Sequence, residues 1–593
     1  MSYLSALCQF YDRMSAADSG MPPEGTTAEQ IAFCLTINEA GALLSVGDMR
    51  DSKGRARRLF VPARAQRSSN VLPNFLWDNT GYVLGVDGKG KPEQSRKTAA
   101  AFRELHQRLL ADCADVHARA LLAFLEAWTP DRFETLESRE GLLDSNVIFR
   151  LEGESVFFHE VPALRDVWAA SRGDGGGTGE RDAGICLITG KRGAVARVHP
   201  PVRGVVGAQS SGASLVSFNF PALESYGKEQ SFNAPVSTQA AERYVCALNY
   251  LLNREHRQMV RIADTSMIFW ADAPVPEEGA LKESALGDLF DLASPRESAQ
   301  DRDQVELLKS VLLALRRGGD PNGADVSLSL GVRFFVLGLA PNAARLSVRF
   351  WLSSTLDVLL RHCGRWYEDL SLERQFPDSE PEFPPLWQLL DRTVAIPGKQ
   401  KTVPPGLGGQ MGRTMLTGGR IPESVFAAVL GRIHAGDGIT YFRAALIKAY
   451  LRRNKHEEKD MTTLNADESN TGYRLGRVFA LLEKAQRDAL KDLNASLRER
   501  YIGAASSTPR LVFPSLLRLA QHHVTKVRKS GIAGYDVLFS QRIGDVLADL
   551  TDFPAVLSLE DQGRFMLGYY HQMNALYRKK SAVQDTAGEN QEG

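Results

Sequence analysis

Apolar and polar residues follow two different periods along this chain, and the change of period separates predicted helices from predicted strands. Apolar residues at three- and four-residue steps are typical of amphipathic helices. They predict helices over residues 3–14, 96–129 and 239–252. Apolar runs that alternate with polar residues, or that are bounded by turn residues, are typical of strands. They predict strands within residues 29–51, 75–86, 146–153, 185–190, 214–220 and 259–272, with turns at 39–41 and 78–81.

Changes in amino-acid composition indicate loops, boundaries and connections in the rest of the chain. A glycine cluster at 173–184 predicts a flexible surface loop. Residues 271–303 are acidic and carry prolines, which is typical of a domain boundary. Residues 326–352 predict a strand, a turn and a helix, and residues 397–422 a connection rich in glycine and proline. After residue 460 the helical period dominates and predicts a bundle.

These patterns predict an α+β fold, in which a mixed, β-rich N-terminal region with helical insertions precedes a C-terminal helical bundle. A chain of 593 residues is long enough for several domains. The predicted divisions are an N-terminal α+β domain (1–272), an acidic linker (273–303), a middle α/β domain (304–460), the helical bundle (461–580) and a disordered tail (581–593).

Composition indicates the cellular compartment of the protein more clearly than its function. The chain has 71 basic and 71 acidic residues, so any nucleic-acid binding must come from local patches of charge. Its six cysteines show no CxxC spacing and fit a reducing compartment. The first twenty residues lack the charge and apolar core of a signal peptide, and the longest apolar runs are too short to span a membrane. We therefore expect a soluble cytoplasmic protein without a membrane partner.

The most informative segment is residues 207–237, which is rich in Ser, Asn, Gln and Gly without being of low complexity. Six apolar residues interrupt it and are predicted to anchor it to a core: Val216, Phe218, Phe220, Leu223, Tyr226 and Phe232. Such a segment either satisfies its own backbone or presents donors and acceptors to phosphates, sugars and base edges. The candidate nucleic-acid contacts here are Gln209, Ser210, Ser211, Asn219 and Lys228.

A basic stretch at residues 51–70 is the first candidate for phosphate binding. It carries six cations against one aspartate: Lys53, Arg55, Arg57, Arg58, Arg64 and Arg67. Amides and hydroxyls follow at Gln66, Ser68, Ser69, Asn70 and Asn74. Cations that hold the backbone beside amides that read base edges are the two components of sequence recognition. The alternative is a solvated, charged hairpin.

Two further regions carry cations. Asn342, Arg345 and Arg349 lie on the predicted helix of residues 326–352, where they would bind phosphates or a partner subunit, or pair with buried carboxylates. Residues 461–580 hold 17 basic and 12 acidic residues, and Lys526, Arg528 and Lys529 cluster there. A mildly basic bundle suits the backbone of a single strand. His522 and His523 point about 100° apart on a helix, so we expect surface histidines and not a metal site.

No catalytic signature accompanies these patches. The chain has no GxxxxGK[ST], HExxH or GxSxG sequence. Its carboxylates do not cluster into a recognisable two-metal set. We expect a binding protein with no catalytic residue, no metal and no cofactor.

Several long segments, taken together and in order, resemble one family. They are FLWDNTGYVLG (75–85), ICLITG (185–190), GAQSSGASLVSFN with SYGKEQ and NAPVS (within 207–237), ADTSMIFWA (263–271), VLGLAPNAARLSVRFW (336–351), YRLGRVFALLEKAQ (473–486) and FMLGYYHQ (565–572). This set resembles the large subunit of the type I-C CRISPR surveillance complex (Cascade). The resemblance covers essentially the whole chain.

The resemblance implies a role without catalysis. In that family a CRISPR RNA pairs with the target strand, while the large subunit reads a short, T-rich protospacer-adjacent motif in the flanking duplex. It also assists duplex opening and helps to recruit the helicase-nuclease. The implied partners are target DNA, the displaced strand, the CRISPR RNA, and the backbone, RNA-end-binding and small subunits. The C-terminal bundle resembles the small subunit, for which Met461 is a plausible internal start.

The resemblance also suggests roles for residues in the basic stretch and just after it. Lys53, Arg64 and Arg67 would hold the flanking phosphates. Residues that would contact the motif are Gln66, Ser69, Asn70, Asn74 and Asn79. The alternatives are a nuclease or RNA-processing enzyme of the same defence system, which needs a metal or histidine centre, and a scaffold that contacts only protein.

Overall fold

The computed structural model describes the chain in segments. They are residues 1–16, 21–64, 71–88, 90, 92–137, 139–173, 183–272, 332–395, 403–457, 460–490, 495–532, 534–548, 550 and 552–589. They form two compact units. The first unit comprises Met1–Gly204, Ala208–Tyr250 and Ala343–Leu346, and the second comprises Val205–Gly207, Leu251–Asn342 and Ser347–Gly593. The described helices and strands confirm the predicted α+β class, with the strands before residue 356 and helices alone after it.

The described part of the first unit is built on a four-stranded sheet and two two-stranded ribbons. Its strands are β1 (Thr26–Ile31), β2 (Phe33–Ile37), β3 (Leu43–Asp48), β4 (Arg57–Pro62), β5 (Trp77–Asn79), β6 (Asn146–Leu151), β7 (Ala183–Ile185) and β8 (Arg192–Ala194). The sheet order is β3-β2-β6-β5, in which only β2 and β6 run parallel. All five residues of β2 are buried, as expected for a central strand covered on both faces. β1 pairs with β4, and β7 with β8.

The first unit also contains helices, some of which cover this sheet. They are α1 (Tyr3–Ala16), α2 (Thr80–Val83), α3 (Pro92–Leu110), α4 (Val116–Ala127), α5 (Arg139–Leu142), α6 (Pro162–Gly173) and α7 (Thr238–Leu251). Phe102 of α3 and Phe124 of α4 join Phe149 of β6 in one buried core. The predicted helices at 3–14, 96–129 and 239–252 are thus confirmed, with a break between α3 and α4.

Three strand predictions in this unit are wrong. Residues 75–86 form the short strand β5 and then the helical turn α2, because Trp77 pairs with Ile148 before the chain turns inward. Residues 185–190 contribute only the end of β7. Residues 214–220 make one isolated bridge, from Ser214 to Arg345, and no regular strand. Most of the glycine cluster at 173–184 and the whole 273–303 linker lie outside the described residues.

The sheet of the second unit has the order β12-β11-β10-β9. Its strands are β9 (Met259–Ile262), β10 (Thr265–Ala271), β11 (Arg333–Asn342) and β12 (Arg345–Thr355). Every residue of β10 is buried. The prediction of a helix after the turn near 342 is wrong, since β12 follows a two-residue turn in which Ala343 has a φ of 52°. The four-residue spacing of Arg345 and Arg349 fits a strand as well as a helix, because both periods return such residues to one face.

The other elements of the second unit are helices. They are α8 (Leu356–Leu370), α9 (Leu386–Asp391), α10 (Leu407–Thr417), α11 (Glu423–Arg432), α12 (Tyr441–Lys455), α13 (Thr471–Ala489), α14 (Leu497–Ser507), α15 (Pro509–Lys529), α16 (Tyr535–Leu547) and α17 (Leu559–Glu589). The prediction of an irregular connection at 397–422 is wrong for α10. A Cβ atom on Gly408 would lie 2.3 Å from the Ile262 carbonyl oxygen, so this glycine permits close packing of helix on strand.

Helices α13 and α17 make the closest helix contact of the predicted bundle. A Cβ on Gly476 would lie 1.9 Å from the Phe565 carbonyl oxygen, and one on Gly568 would lie 2.0 Å from that of Tyr473. The backbones therefore touch at positions where the sequence places no side chain. One apolar core extends through this unit from Ile262 to Met573, so residues on both sides of position 460 share it.

Candidate nucleic-acid interface

The basic stretch at 51–70 is partly a strand and not a continuous loop. Asp51 shapes the turn before β4, where its carboxylate accepts hydrogen bonds from the backbone N–H groups of Arg55 and Lys53, each at 2.9 Å. Its second oxygen accepts from the Arg55 guanidinium. The hydrogen bonds from Arg55, with that from the Lys53 N–H, hold the pKa of Asp51 below its usual value. Asp51 thus neutralises Arg55 and does not pair with Lys53, Arg57 or Arg58.

Three of those cations are exposed. Lys53 lies in the turn, and Arg57 and Arg58 lie on β4, where Arg58 is opposite Gln30 and Arg57 opposite Ile31. Their side chains have no ion pair or hydrogen bond among the residues that the structure describes. Because neighbouring residues of a strand point to opposite faces, β4 presents a guanidinium on each side of the ribbon.

Arg64 is held in place more firmly than the other cations. Its guanidinium lies 3.7 Å from the carboxylate of Glu29, which is only 8% exposed, and 5.9 Å from the ring centroid of Trp77. The guanidinium of Arg203 approaches the same Glu29 oxygen to 3.8 Å. One carboxylate therefore faces two guanidinium groups, which leaves one positive charge in excess at this site.

The residues predicted to contact the motif differ in their exposure. Asn74 is 2% exposed and its backbone N–H donates to Asp78, so its burial removes it from the residues that can touch DNA directly. Asn79 is partly exposed at the N-cap of α2, without a capping hydrogen bond from its side chain. Gln66, Arg67, Ser69 and Asn70 lie outside the described residues.

A buried histidine supports this part of the chain. The N–H of Leu76, which has a φ of 62°, donates to Nε2 of His106 at 2.9 Å. Nδ1–H of His106 donates to the Phe102 carbonyl at 2.7 Å. Burial lowers the pKa of His106 to about 4, so its imidazole is neutral at pH 7. Sequence reasoning missed this role because the two residues are 30 positions apart.

A cleft of about 960 Å³ opens in the first unit beside the ribbon of β1 and β4. Its walls come from β4, α6, the β7–β8 hairpin and the amino end of α7. Cations line it at Arg58, Arg165, Lys191, Arg192 and Arg243, and acids at Glu24, Glu160 and Asp166. Arg243 is paired with Glu24 at 2.9 Å, whereas Lys191 and Arg192 are exposed at the hairpin. Sequence analysis missed the cleft, although the adjacent Lys191 and Arg192 after a strand-like run were a visible signal.

The polar segment at 207–237 lies at the surface in irregular structure. Gln209, Ser210 and Ser211 are exposed in a turn that the Gly212 N–H closes onto the Gln209 carbonyl at 2.9 Å. The amide oxygen of Asn219 accepts from the guanidinium of Arg345, which lies 5.4 Å from the ring centroid of Phe220. Asn219 is therefore committed to a local contact.

The predicted core anchors of this segment are partly wrong. Phe220 is 59% exposed, Leu223 37% and Tyr226 100%. Lys228 is also exposed, two residues beyond Tyr226. These residues sit on a projecting loop because the chain turns back through a tight turn at 225–228 before it reaches the core again at Ser231.

Among the remaining candidate residues, some are paired with a carboxylate and others are exposed. Arg349 donates to Asp264 at 3.0 Å, which matches the alternative of a carboxylate partner, and Asn342 is exposed at the end of β11. Lys526, Arg528 and Lys529 are exposed in the last turn of α15, and Arg528 lies 3.3 Å from Asp536.

The adjacent histidines of α15 face different environments. His522 is exposed, whereas His523 is 9% exposed, so the expectation of two surface histidines is wrong for His523. Within the described segments, no group of three or more His, Cys, Asp or Glu side chains is arranged to hold a metal ion. No helix in those segments is long and apolar enough to cross a membrane.

Comparison with known proteins gives the class of this chain as a CRISPR-associated protein. The matching family model is that of the CRISPR-associated protein Cas_Csd1, and it covers residues 7–577. The chain therefore belongs to the Csd1 family, the family of type I-C large subunits. No curated protein matches it.

Proposed function

We propose that this chain is the subunit that recognises the short motif beside the target in duplex DNA, assists opening of that duplex and helps to recruit the helicase-nuclease. Its place in the Csd1 family supports a type I-C CRISPR setting. One observation carries the proposal: Lys53, Arg57 and Arg58 are exposed without a compensating charge in the described part of the chain, next to a cationic cleft.

The division of labour follows from the chemistry of the groups. Lys53, Arg57 and Arg58 hold phosphates, with Arg64 contributing less because Glu29 already faces it. Amide donors at Gln66, Asn70 and Asn79 read base edges. A T-rich motif suits them, because A·T pairs present only acceptors in the minor groove.

The remaining partners follow from the same setting. We propose that the chain contacts the CRISPR RNA, the displaced DNA strand, and the backbone, RNA-end-binding and small subunits. Lys526 and Lys529 on the bundle are the cations that we propose for the displaced strand, since they are exposed in the last turn of α15.

Salt dependence tests the phosphate contacts. The assembled complex carrying Arg57→Ala and Arg58→Ala is titrated with flanked duplex targets over a range of salt. Each lost phosphate contact reduces the slope of log K against log salt by about 0.9, so we expect a reduction of about 2, whatever the flanking sequence. The matched control is Arg103→Ala with Arg108→Ala, two exposed arginines on α3 that do not line the cleft. Equal slopes for the two double variants would contradict the proposal.

We further propose that the chain has no catalytic site of its own. Labelled CRISPR RNA precursor and target DNA are incubated with the purified chain, with and without Mg²⁺. We expect both to stay intact over hours. Cleavage that depends on Mg²⁺ and co-purifies with the chain would identify a nuclease or processing enzyme instead.

A further inference from the structure

The loop at residues 219–229 ends in a tight turn that carries a completely exposed aromatic ring. Tyr226 is 100% exposed and has a φ of 53°, and Gly227 follows with a φ of 67°. Ser225 and Lys228 form an antiparallel bridge, and the Lys228 N–H donates to the Ser225 carbonyl at 3.0 Å. Positive φ at both central residues is the pattern of a type I′ turn, which favours Asn and Gly. A tyrosine at the first of these positions is unusual and strained.

One side chain holds this turn in place. Oδ1 of Asn233 accepts from the Ser225 N–H at 2.9 Å. Its Nδ2 donates to the carbonyls of Lys228 at 2.7 Å and Gln230 at 2.9 Å. Asn233 follows Ser231, which is 2% exposed, so the turn is tied to the ordered body of the unit. Because this side chain bonds backbone groups on both sides of the strained turn, it fixes the backbone that carries Tyr226 at the exposed tip.

The loop carries no excess of positive charge, so attraction to phosphates does not explain it. Lys228 is flanked by Glu224 and Glu229, which gives residues 219–229 a net charge of −1. The chemistry that the tip offers is therefore a bare aromatic face. Base–aromatic stacking uses such a face, is tolerant of sequence, and needs a base that is not already covered by its neighbours on both sides.

We propose that Tyr226 stacks on an unpaired nucleobase of the target DNA at the edge of the opening duplex, and that Asn233 is a positioning residue for it. This inference rests on the proposed function, because duplex opening is what supplies an uncovered base. In this account Tyr226 is the side chain that stabilises the first base pairs to open. Motif reading by the cations and amides of the basic stretch precedes this step.

The experiment follows opening directly in the assembled complex. The target carries 2-aminopurine at the first base pairs beside the motif, and the rate of its fluorescence change reports unstacking. We expect Tyr226→Ala to slow opening by roughly 5- to 150-fold, as loss of one stacked base predicts. Tyr226→Phe keeps the ring and stays within about twofold of the wild type, since the hydroxyl is not needed for stacking. Asn233→Ala slows opening although Tyr226 is present, because the turn that carries the ring is no longer held.

A second target separates stacking from a protein contact. When the same base pairs are mismatched in advance, Tyr226→Ala should form the open complex at nearly the wild-type rate. A defect that persists on this target, or one in complex assembly, would identify the ring as a protein-binding residue and overturn the inference. Equal rates for Tyr226→Ala and the wild type on paired DNA would overturn it as well.

An experiment that finds no role for Tyr226 can be distinguished from one that refutes the proposed function. If Tyr226 has no role in opening but motif reading is correct, the Tyr226→Ala complex keeps its preference for correctly flanked duplex and its salt slope. If this chain does not read the motif, that preference is insensitive to substitutions in the basic stretch, whatever Tyr226 does.

Discussion

Gly476→Ala is the substitution for which the structure gives the sharpest expectation. The new Cβ would lie 1.9 Å from the carbonyl oxygen of Phe565, whereas ordinary contacts begin at 3.4 Å. Helices α13 and α17 would have to separate by about 1.5 Å. The obstacle is a backbone carbonyl and cannot rotate away as a side chain could. Separation would also loosen Phe479, whose ring centroid lies 5.7 Å from that of Phe565.

Two opposing terms set the magnitude of this change. Replacing a helical glycine by alanine favours the helix by about 1 kcal/mol. Overpacking of a filled core costs about 1–3 kcal/mol, and a clash with rigid backbone lies at or beyond the upper end of that range. We therefore expect Gly476→Ala to lower the free energy of unfolding by about 2 kcal/mol. The matched control is Gly544→Ala on α16, where a Cβ meets nothing within 4 Å and the propensity gain should appear alone.

Thermal unfolding of the full chain, with hydrogen exchange of the α13 and α17 amides, measures both variants. Gly476→Ala should lower the melting midpoint and speed exchange in those two helices, while Gly544→Ala should raise the midpoint slightly. If both variants raised the midpoint alike, the close approach of the two helices would be refuted.

Two further predictions concern buried polar groups. His106 has a folded pKa of about 4, below the unfolded value of about 6.5, so the unfolded chain binds the proton first and stability falls as pH drops through this window. Between pH 7.5 and pH 5, His106 accounts for a loss of about 2 kcal/mol in the free energy of unfolding. Urea unfolding of His106→Gln should therefore show a pH dependence that is weaker by that amount. An unchanged pH dependence would contradict this prediction. Lys448 is fully buried and donates to the carbonyls of Glu368 at 3.1 Å and Ser371 at 2.5 Å. Lys448→Met leaves these acceptors unpaired and should cost roughly 3 kcal/mol in urea unfolding, and a loss below about 1 kcal/mol would show that water replaces the amine.

Periodicity predicted much of the fold, and its failures have identifiable causes. Helices with one apolar face, such as α3 and α7, follow from three- and four-residue steps. Helix α10 was missed because its glycines resemble a connection, although Gly408 serves close packing on the Ile262 carbonyl. Strand β12 was missed because a four-residue spacing of arginines satisfies both periods.

The candidate site was only partly predictable for a different reason. The sequence shows where cations are, but their neutralisation depends on contacts between distant residues. Glu29 faces Arg64 from 35 positions away, and Asp264 pairs with Arg349 from 85 positions away. The exposure of Tyr226 was likewise hidden, because an apolar residue in a polar segment indicates an anchor until the turn geometry is known.

The most direct test of the central claim is the ratio of affinities of the assembled complex for correctly and incorrectly flanked duplex targets. It is measured for the wild type and for a variant with Gln66, Asn70 and Asn79 all changed to Ala, at one fixed salt concentration. We expect the wild type to prefer the correct flank and the variant to lose that preference, while its affinity for incorrectly flanked DNA stays the same. A variant that discriminates as well as the wild type would contradict the account.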